Sequence, residues 1–182
     1  MSRPIYLGRW RIDLTVRDGT RVPLAGTTLA LAIARAADAA GAPSPGSIGL
    51  ILSDDRELAT LNVQHLGTTG ATDVLSFPLQ PPDAFPPHPG SPVHSAGTRM
   101  PFPLPPGRRP HLGDIVVSVE RATDQARDGR GGQTGDVRWS VADELRLLVT
   151  HGTLHLCGWD HADPVEEAAM RALENQLLMR EG

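Results

Sequence analysis

Residues 137–161 read VRWSVADELRLLVTHGTLHLCGWDH. The apolar positions recur with a helical period as far as residue 156, and Gly158 supplies a stop signal, so the stretch predicts one long core helix ending near Gly158. His151 and His155 stand four residues apart in its last turns. On a helix that spacing separates two side chains by about 40° around the axis and about 6 Å along it, close enough for both imidazoles to reach one cation. Glycine permits a backbone reversal through positive φ, and a reversal at Gly158 would bring His161 back toward the same point.

Three neutral imidazoles without an evident fourth ligand match the pattern of a catalytic zinc site, in which an open position holds water. Cys157 is the alternative fourth ligand. It lies roughly 200° round the helix from His155, which directs it into the core instead. The spacing H-x3-H-x5-H is that of zinc peptidases, where a glutamate follows the first histidine and acts as general base. Here that position is Gly152. A metallopeptidase is therefore disfavoured, while zinc-assisted phosphodiester cleavage needs no such glutamate. The competing reading is a closed zinc site that staples the turn to the helix, although such sites usually show four ligands and more cysteine.

Working outward, IYLGRWRIDL predicts a strand at roughly 4–14 and LAGTTLALAIARAADAAG a helix at about 25–40. SIGLILS reads as a short apolar strand, and DDRELATLNVQHL behind it as a helix with acids in its first turn. TDVLSF and LGDIVVS are two further strands, the second leading into a helix at VERATDQARD. A final helix is expected in DPVEEAAMRALENQLLMRE, with Asp163 as N-cap and Pro164 at the first helical position. The sum is an α+β fold: a mixed sheet of about four strands packed with about five helices, with a zincin-like tri-histidine site at the end of a core helix. The expected organisation is one domain over 1–182 carrying a proline-rich loop insertion at about 80–110. Residues 78–110 hold twelve of the seventeen prolines without hydrophobic periodicity, which predicts an extended or disordered surface loop.

Composition narrows the function classes. The formal net charge is −4, and all 17 basic residues are arginine. A local arginine patch would still suffice to contact phosphate. The single cysteine excludes an intramolecular disulfide and fits a reducing compartment. No run of about 18 apolar residues is present, and the opening MSRPIYLGRW shows no signal-peptide core, so a cytoplasmic protein without a membrane partner is expected. No G-x-x-x-x-G-K-[ST] motif occurs, leaving nucleotide hydrolysis without support.

The segment HGTLHLCGWDH resembles the H-G-x-L-H-L-x-G-[YW]-D-H signature of the YbeY family of bacterial endoribonucleases. LNVQHLGTTGATDVLSFPL, LGDIVVSVERATDQA, ELRLLVTHG and DHADPVEEAAMRALENQLL resemble further family segments in the same order, over roughly residues 45–79 and 112–180. The resemblance implies a zinc-dependent endoribonuclease preferring single-stranded RNA. It also implies a role in ribosomal RNA processing, at the 3′ end of small-subunit 16S rRNA, and in ribosome quality control. One zinc ion held by His151, His155 and His161 is implied, with single-stranded RNA and small-subunit components as partners and no DNA. The catalytic acid and base are not assigned by it. Many family members carry an arginine before the T-D-V-L-S-F segment, where this chain has His65 and Leu66. The insertion is also longer than the family pattern, and its Arg99, Arg108 and Arg109 could widen contact with a partner.

Other residues carry weaker signals. Trp159 and Asp160 sit in the turn that delivers His161, where Asp160 could accept from a ligating imidazole or from the turn backbone. Asp73 and Asp114 flank strands and could line a cleft, though loop bonding is the simpler reading. Arg146 lies on a helix side far from His151, while Arg130 and Arg138 flank a glycine-rich loop able to approach RNA backbone. The functional expectation is a metal-dependent endoribonuclease. Its rival is a non-catalytic ribosome assembly factor with a structural zinc.

Overall fold

The computed structural model describes residues 3–67, 70, 72–91, 109–128 and 139–179. The chain begins with a hairpin. Strand β1 (Arg3–Leu7) pairs antiparallel with β2 (Trp10–Val16) in a register that places Leu7 opposite Trp10. Gly8 turns the chain with φ +58°, a conformation that favours glycine. One strand was expected over 4–14; the structure has two, because the alternating pattern continues on both sides of this tight turn.

Helix α1 (Gly26–Ala39) buries Leu29, Ile33 and several alanines, and leads to β3 (Gly46–Ser53), which runs parallel to β2. Helix α2 (Asp55–Leu66) follows, its first turn capped by the Asp54 side chain accepting from Glu57 N at 2.8 Å. Edge strand β4 (Val74–Pro78) pairs antiparallel with β5 (His111–Ser118), and β5 lies parallel to β3. Helices α3 (Val119–Arg127), α4 (Val141–Leu156) and α5 (Pro164–Met179) complete the fold. Among the described residues the sheet order is β1-β2-β3-β5-β4, a mixed five-stranded sheet with five α-helices, one strand more than expected.

The central strands are apolar on both faces because both faces are covered. Ile48, Leu50 and Leu52 of β3 and Ile115 and Val117 of β5 join Leu29, Leu145, Leu148 and Leu156 in the main core. The intervening Val116 turns the other way and packs with Leu58 of α2 and Leu75 of β4. Period-2 alternation thus divides the apolar residues between two packed layers.

Helix α4 starts at Val141, four residues later than the apolar pattern predicts. Ser140 stops it with a capping box: its hydroxyl accepts from Asp143 N, and the Asp143 carboxylate accepts from Ser140 N at 3.0 Å. Against the sheet, α4 approaches so closely that a Cβ at Gly152 would lie 2.8 Å from Ile115 Cγ2 and 3.1 Å from Ser76 Oγ. Ser76 Oγ donates to the Gly152 carbonyl at 2.9 Å, tying β4 to α4.

The beginning of the proline-rich segment departs from the expected loose loop. Residues 82–84 form a single 3-10 turn, Phe85 is buried in the main core, and His88 stacks on Trp159. An aromatic ring without helical or strand periodicity can still find a core when the chain passes over an uncovered part of it. Arg99 and Arg108 lie outside the described residues, as do Arg130 and Arg138.

Candidate metal centre

The last turn of α4 and the loop behind it form the site. Gly158, at φ +85°, allows Trp159 N to donate to Leu154 O at 3.1 Å and Gly158 N to His155 O at 3.1 Å. This reversal satisfies carbonyls at the helix end and turns the chain back over it. The Asp160 carboxylate accepts from His161 N at 2.7 Å, and Glu166 Oε1 accepts from Asp160 N at 2.8 Å. Asp160 is therefore a turn-bonding residue; its Oδ1 stands 4.0 Å from His161 Nδ1. Beyond it, Asp163 Oδ1 accepts from Val165 N and Glu166 N at the start of α5, as its predicted N-cap role requires.

Local geometry brings the three histidines together. One ring nitrogen from each of His151, His155 and His161 lies within 4.8 Å of the other two, a group that could hold a metal ion. The donor set fits such an ion through its hydrogen bonds. His151 Nδ1–H donates to Glu174 Oε1 at 2.6 Å, and His155 Nδ1–H donates to the Trp159 carbonyl at 2.8 Å. With both Nδ1 atoms acting as donors, Nε2 is the nitrogen of each ring left to ligate, and these two Nε2 atoms face each other at 2.9 Å. Two lone pairs repel at that distance unless a proton or a metal cation lies between or beside them, so the pair is a place where positive charge collects. Burial, together with neighbouring His151 and His161, pushes the His155 pKa down to about 4, so its ring stays neutral and able to ligate at neutral pH.

Glu174 was not assigned a role from the sequence. Its signal is there in retrospect: Glu166, Met170, Glu174 and Leu177 are the buried stripe of α5, and two acids occupy positions where a core helix normally places apolar side chains. A buried carboxylate requires a partner. His151 is that partner for Glu174.

A cleft of about 690 Å³ opens beside His151 and His161, with Asp73, Gln125, Trp139 and Glu174 among its lining residues. Asp73 lines it while remaining bonded to its surroundings, accepting from Val74 N at 2.9 Å and Gln125 Nε2 at 2.7 Å. Asp114 is not among the lining residues; its carboxylate sits 3.2 Å from His111 Nε2. His65 packs edge-on against Phe77, with ring centroids 5.0 Å apart, and Leu66 is the last residue of α2. Arg146 donates to Asp143 at 2.8 Å, and the Arg109 guanidinium donates to the Arg9 carbonyl. Cys157 is fully buried, which raises its thiol to about 12, and it is not in the group of side chains that converges on the site.

The family model described as Endoribonuclease YbeY matches residues 24–182. The chain belongs to the YbeY family. It is 39% identical over 154 residues to the Endoribonuclease YbeY of Salinispora tropica, covering 84% of this chain and 85% of the relative. With the Endoribonuclease YbeY of Renibacterium salmoninarum it shares 42% identity over 131 residues, 72% of this chain and 68% of that one. The solution structure of TM1509 from Thermotoga maritima aligns over 94% of this chain and 90% of its own, at 20% identity and a TM-score of 0.48. The YbeY match spans every element that builds the histidine cluster, α4, the turn and α5.

Proposed function

We propose that this chain is a metal-dependent endoribonuclease that cuts single-stranded RNA, with His151, His155 and His161 holding one zinc ion. The observation that carries the reading is the convergence of three imidazole nitrogens within 4.8 Å, with the Nε2 atoms of His151 and His155 at 2.9 Å beside a solvent-facing His161, whose side chain is 56% exposed. The names of its YbeY relatives, endoribonucleases, support RNA as the substrate. When bound, such a cation supplies Lewis-acid polarisation of a phosphoryl oxygen and lowers the pKa of a water toward about 7. Glu174 holds His151 in the ligating tautomer, and the Trp159 carbonyl does the same for His155. The cleft next to His151 and His161 gives a strand access to that centre.

The family resemblance supports a finer assignment: processing of the 3′ end of 16S rRNA and ribosome quality control, in the cytoplasm, with small-subunit components as partners. Among the described residues no helix is long and apolar enough to cross a membrane. A peptidase reading loses further support because position 152 carries no side chain, and one placed there would meet Ile115, Ser76 and Val74 at 2.8–3.1 Å.

A second reading, an assembly factor with a structural zinc, is favoured by one feature: the histidine cluster and Glu174 link α4, the turn and α5. Both readings are tested together by cleavage of a single-stranded RNA with wild type and His155→Ala, recording zinc content and thermal stability. A folded, zinc-poor, inactive mutant is the expected result. Undiminished cleavage by metal-stripped wild type would overturn metal dependence, and loss of fold without any wild-type cleavage would favour the assembly factor.

A further inference from the structure

Among the described residues, a half-buried histidine outside the cluster packs against the turn. His88 comes from the proline-rich segment, and its ring stacks on Trp159 with centroids 4.0 Å apart and planes 9° from parallel. Its Nε2–H donates to the Gly158 carbonyl at 3.3 Å, and its Nδ1 faces Glu166 Oε1 at 3.6 Å. The side chains of His88 and Glu166 are only 9% and 4% exposed. Around them the same segment closes on the turn. Phe85 Cδ2 lies 3.7 Å, and Pro82 Cα 3.8 Å, from where a Cβ on Gly158 would stand. Gly90 passes so close to α5 that a Cβ there would be 2.5 Å from Glu166 N. Pro86 packs against Gly41 at the end of α1 and anchors the segment at its middle.

These contacts converge on the groups that orient the histidines. Trp159, under the His88 ring, provides the carbonyl that accepts from His155 Nδ1. Glu166, beside His88, accepts from Asp160 N, and Asp160 in turn accepts from His161 N. The start of the insertion therefore reaches two of the three candidate ligands, each through one or two intermediate residues.

We propose that residues 82–90 form a strap that positions the ligand-bearing turn, with His88 as its positioning residue, so that this insertion sets the affinity of the site for its divalent cation. The proposal rests on the metal reading above. A turn held before binding loses less freedom when the ligands close on an ion, and preorganisation of this kind appears as affinity. Groups that hold metal-binding imidazoles in place typically contribute 10–100-fold to affinity. A role confined to general stability would lower the melting temperature without altering the geometry at the ion.

The test is a Co2+ titration of the full chain, followed by its visible d–d absorption, on wild type, His88→Ala, His88→Phe and the control Leu58→Ala. Leu58 packs with Leu75 and Val116 in the separate layer under α2, so its truncation destabilises the protein away from the turn. His88→Ala is expected to bind Co2+ at least tenfold more weakly with an altered spectrum, and His88→Phe, which restores a stacked ring, to recover part of both. Leu58→Ala should lower the melting temperature and leave the Co2+ spectrum and affinity as in wild type. If His88→Ala does not fold, His88→Gln replaces it, and weaker binding than in His88→Phe is expected. The strap is overturned by wild-type affinity and spectrum in the His88 variants, or by an equal loss in Leu58→Ala. Wild type that takes up no Co2+ overturns the metal reading and the strap together, whereas tight wild-type binding with unchanged variants overturns the strap alone.

Discussion

Glu174 Oε1 and His151 Nδ1 are 2.6 Å apart, a bond from α5 to α4 that decides which nitrogen of His151 is left to face His155. Removing the acceptor with Glu174→Ala frees the His151 ring to turn and to change tautomer. Zinc affinity should fall by about 10–100-fold, and Glu174→Gln, which retains an oxygen acceptor, should lose less. Competition against a chromophoric chelator measures both; an Ala variant as tight as wild type would show that Glu174 does not orient the ring.

Gly152→Ala places a methyl group 2.8 Å from Ile115 Cγ2, in the seam between α4 and the sheet. Overpacking there should destabilise the fold by about 1–3 kcal/mol. At this chain length each kcal/mol lowers Tm by about 2–4 °C. Scanning calorimetry checks it, and an unshifted Tm would mean the helix can move off the sheet freely.

Phe85 distinguishes a packed segment from a loose one. Its ring is 8% exposed and belongs to the main core. Phe85→Ala should cost roughly 3 kcal/mol, against a change within about 0.5 kcal/mol for a solvated loop position. Urea unfolding separates the two values.

Acid stability tests the junction of β2 and α2. Arg17 forms a bidentate pair with Glu57, and this hydrogen bonding holds the Glu57 carboxyl below its ordinary value of 4.5, with Ser53 also donating to it. A carboxyl depressed in the folded state stabilises above the unfolded value, and that contribution is lost as pH falls through the folded one. The pair is partly exposed, so the loss below pH 4.5 should be only about 0.5 kcal/mol. Glu57→Gln should flatten that part of the stability profile; an identical acid limb in the variant would remove the pair from the account.

Cys157 should resist alkylation. Buried completely, its thiol is raised to about 12, leaving almost no thiolate at pH 8. Labelling by a maleimide should track unfolding in denaturant, and rapid labelling of the native protein would contradict the burial.

Features that depend on neighbours in the chain were legible before the fold was known. The helical period running up to the stop at Gly158 (though not the start at Val141), the Asp163 and Pro164 start of α5 and the four-residue spacing of His151 and His155 all follow from local backbone geometry. These determined the fold class and the meeting of three histidines, because helix pitch and turn handedness are properties of a few consecutive residues.

Contacts between distant segments were decided only in three dimensions. The division of residues 4–14 into a hairpin depended on Gly8 folding back to pair Leu7 with Trp10. Glu174 became the partner of His151 across 23 residues, and His88 the cover of Trp159 across roughly 70, through packing of α5 and the insertion on one helix end. Local periodicity shows which face of an element is apolar, but not which distant polar group arrives there. That choice follows from the need of each buried carboxylate, imidazole and carbonyl for a partner once the layers have closed.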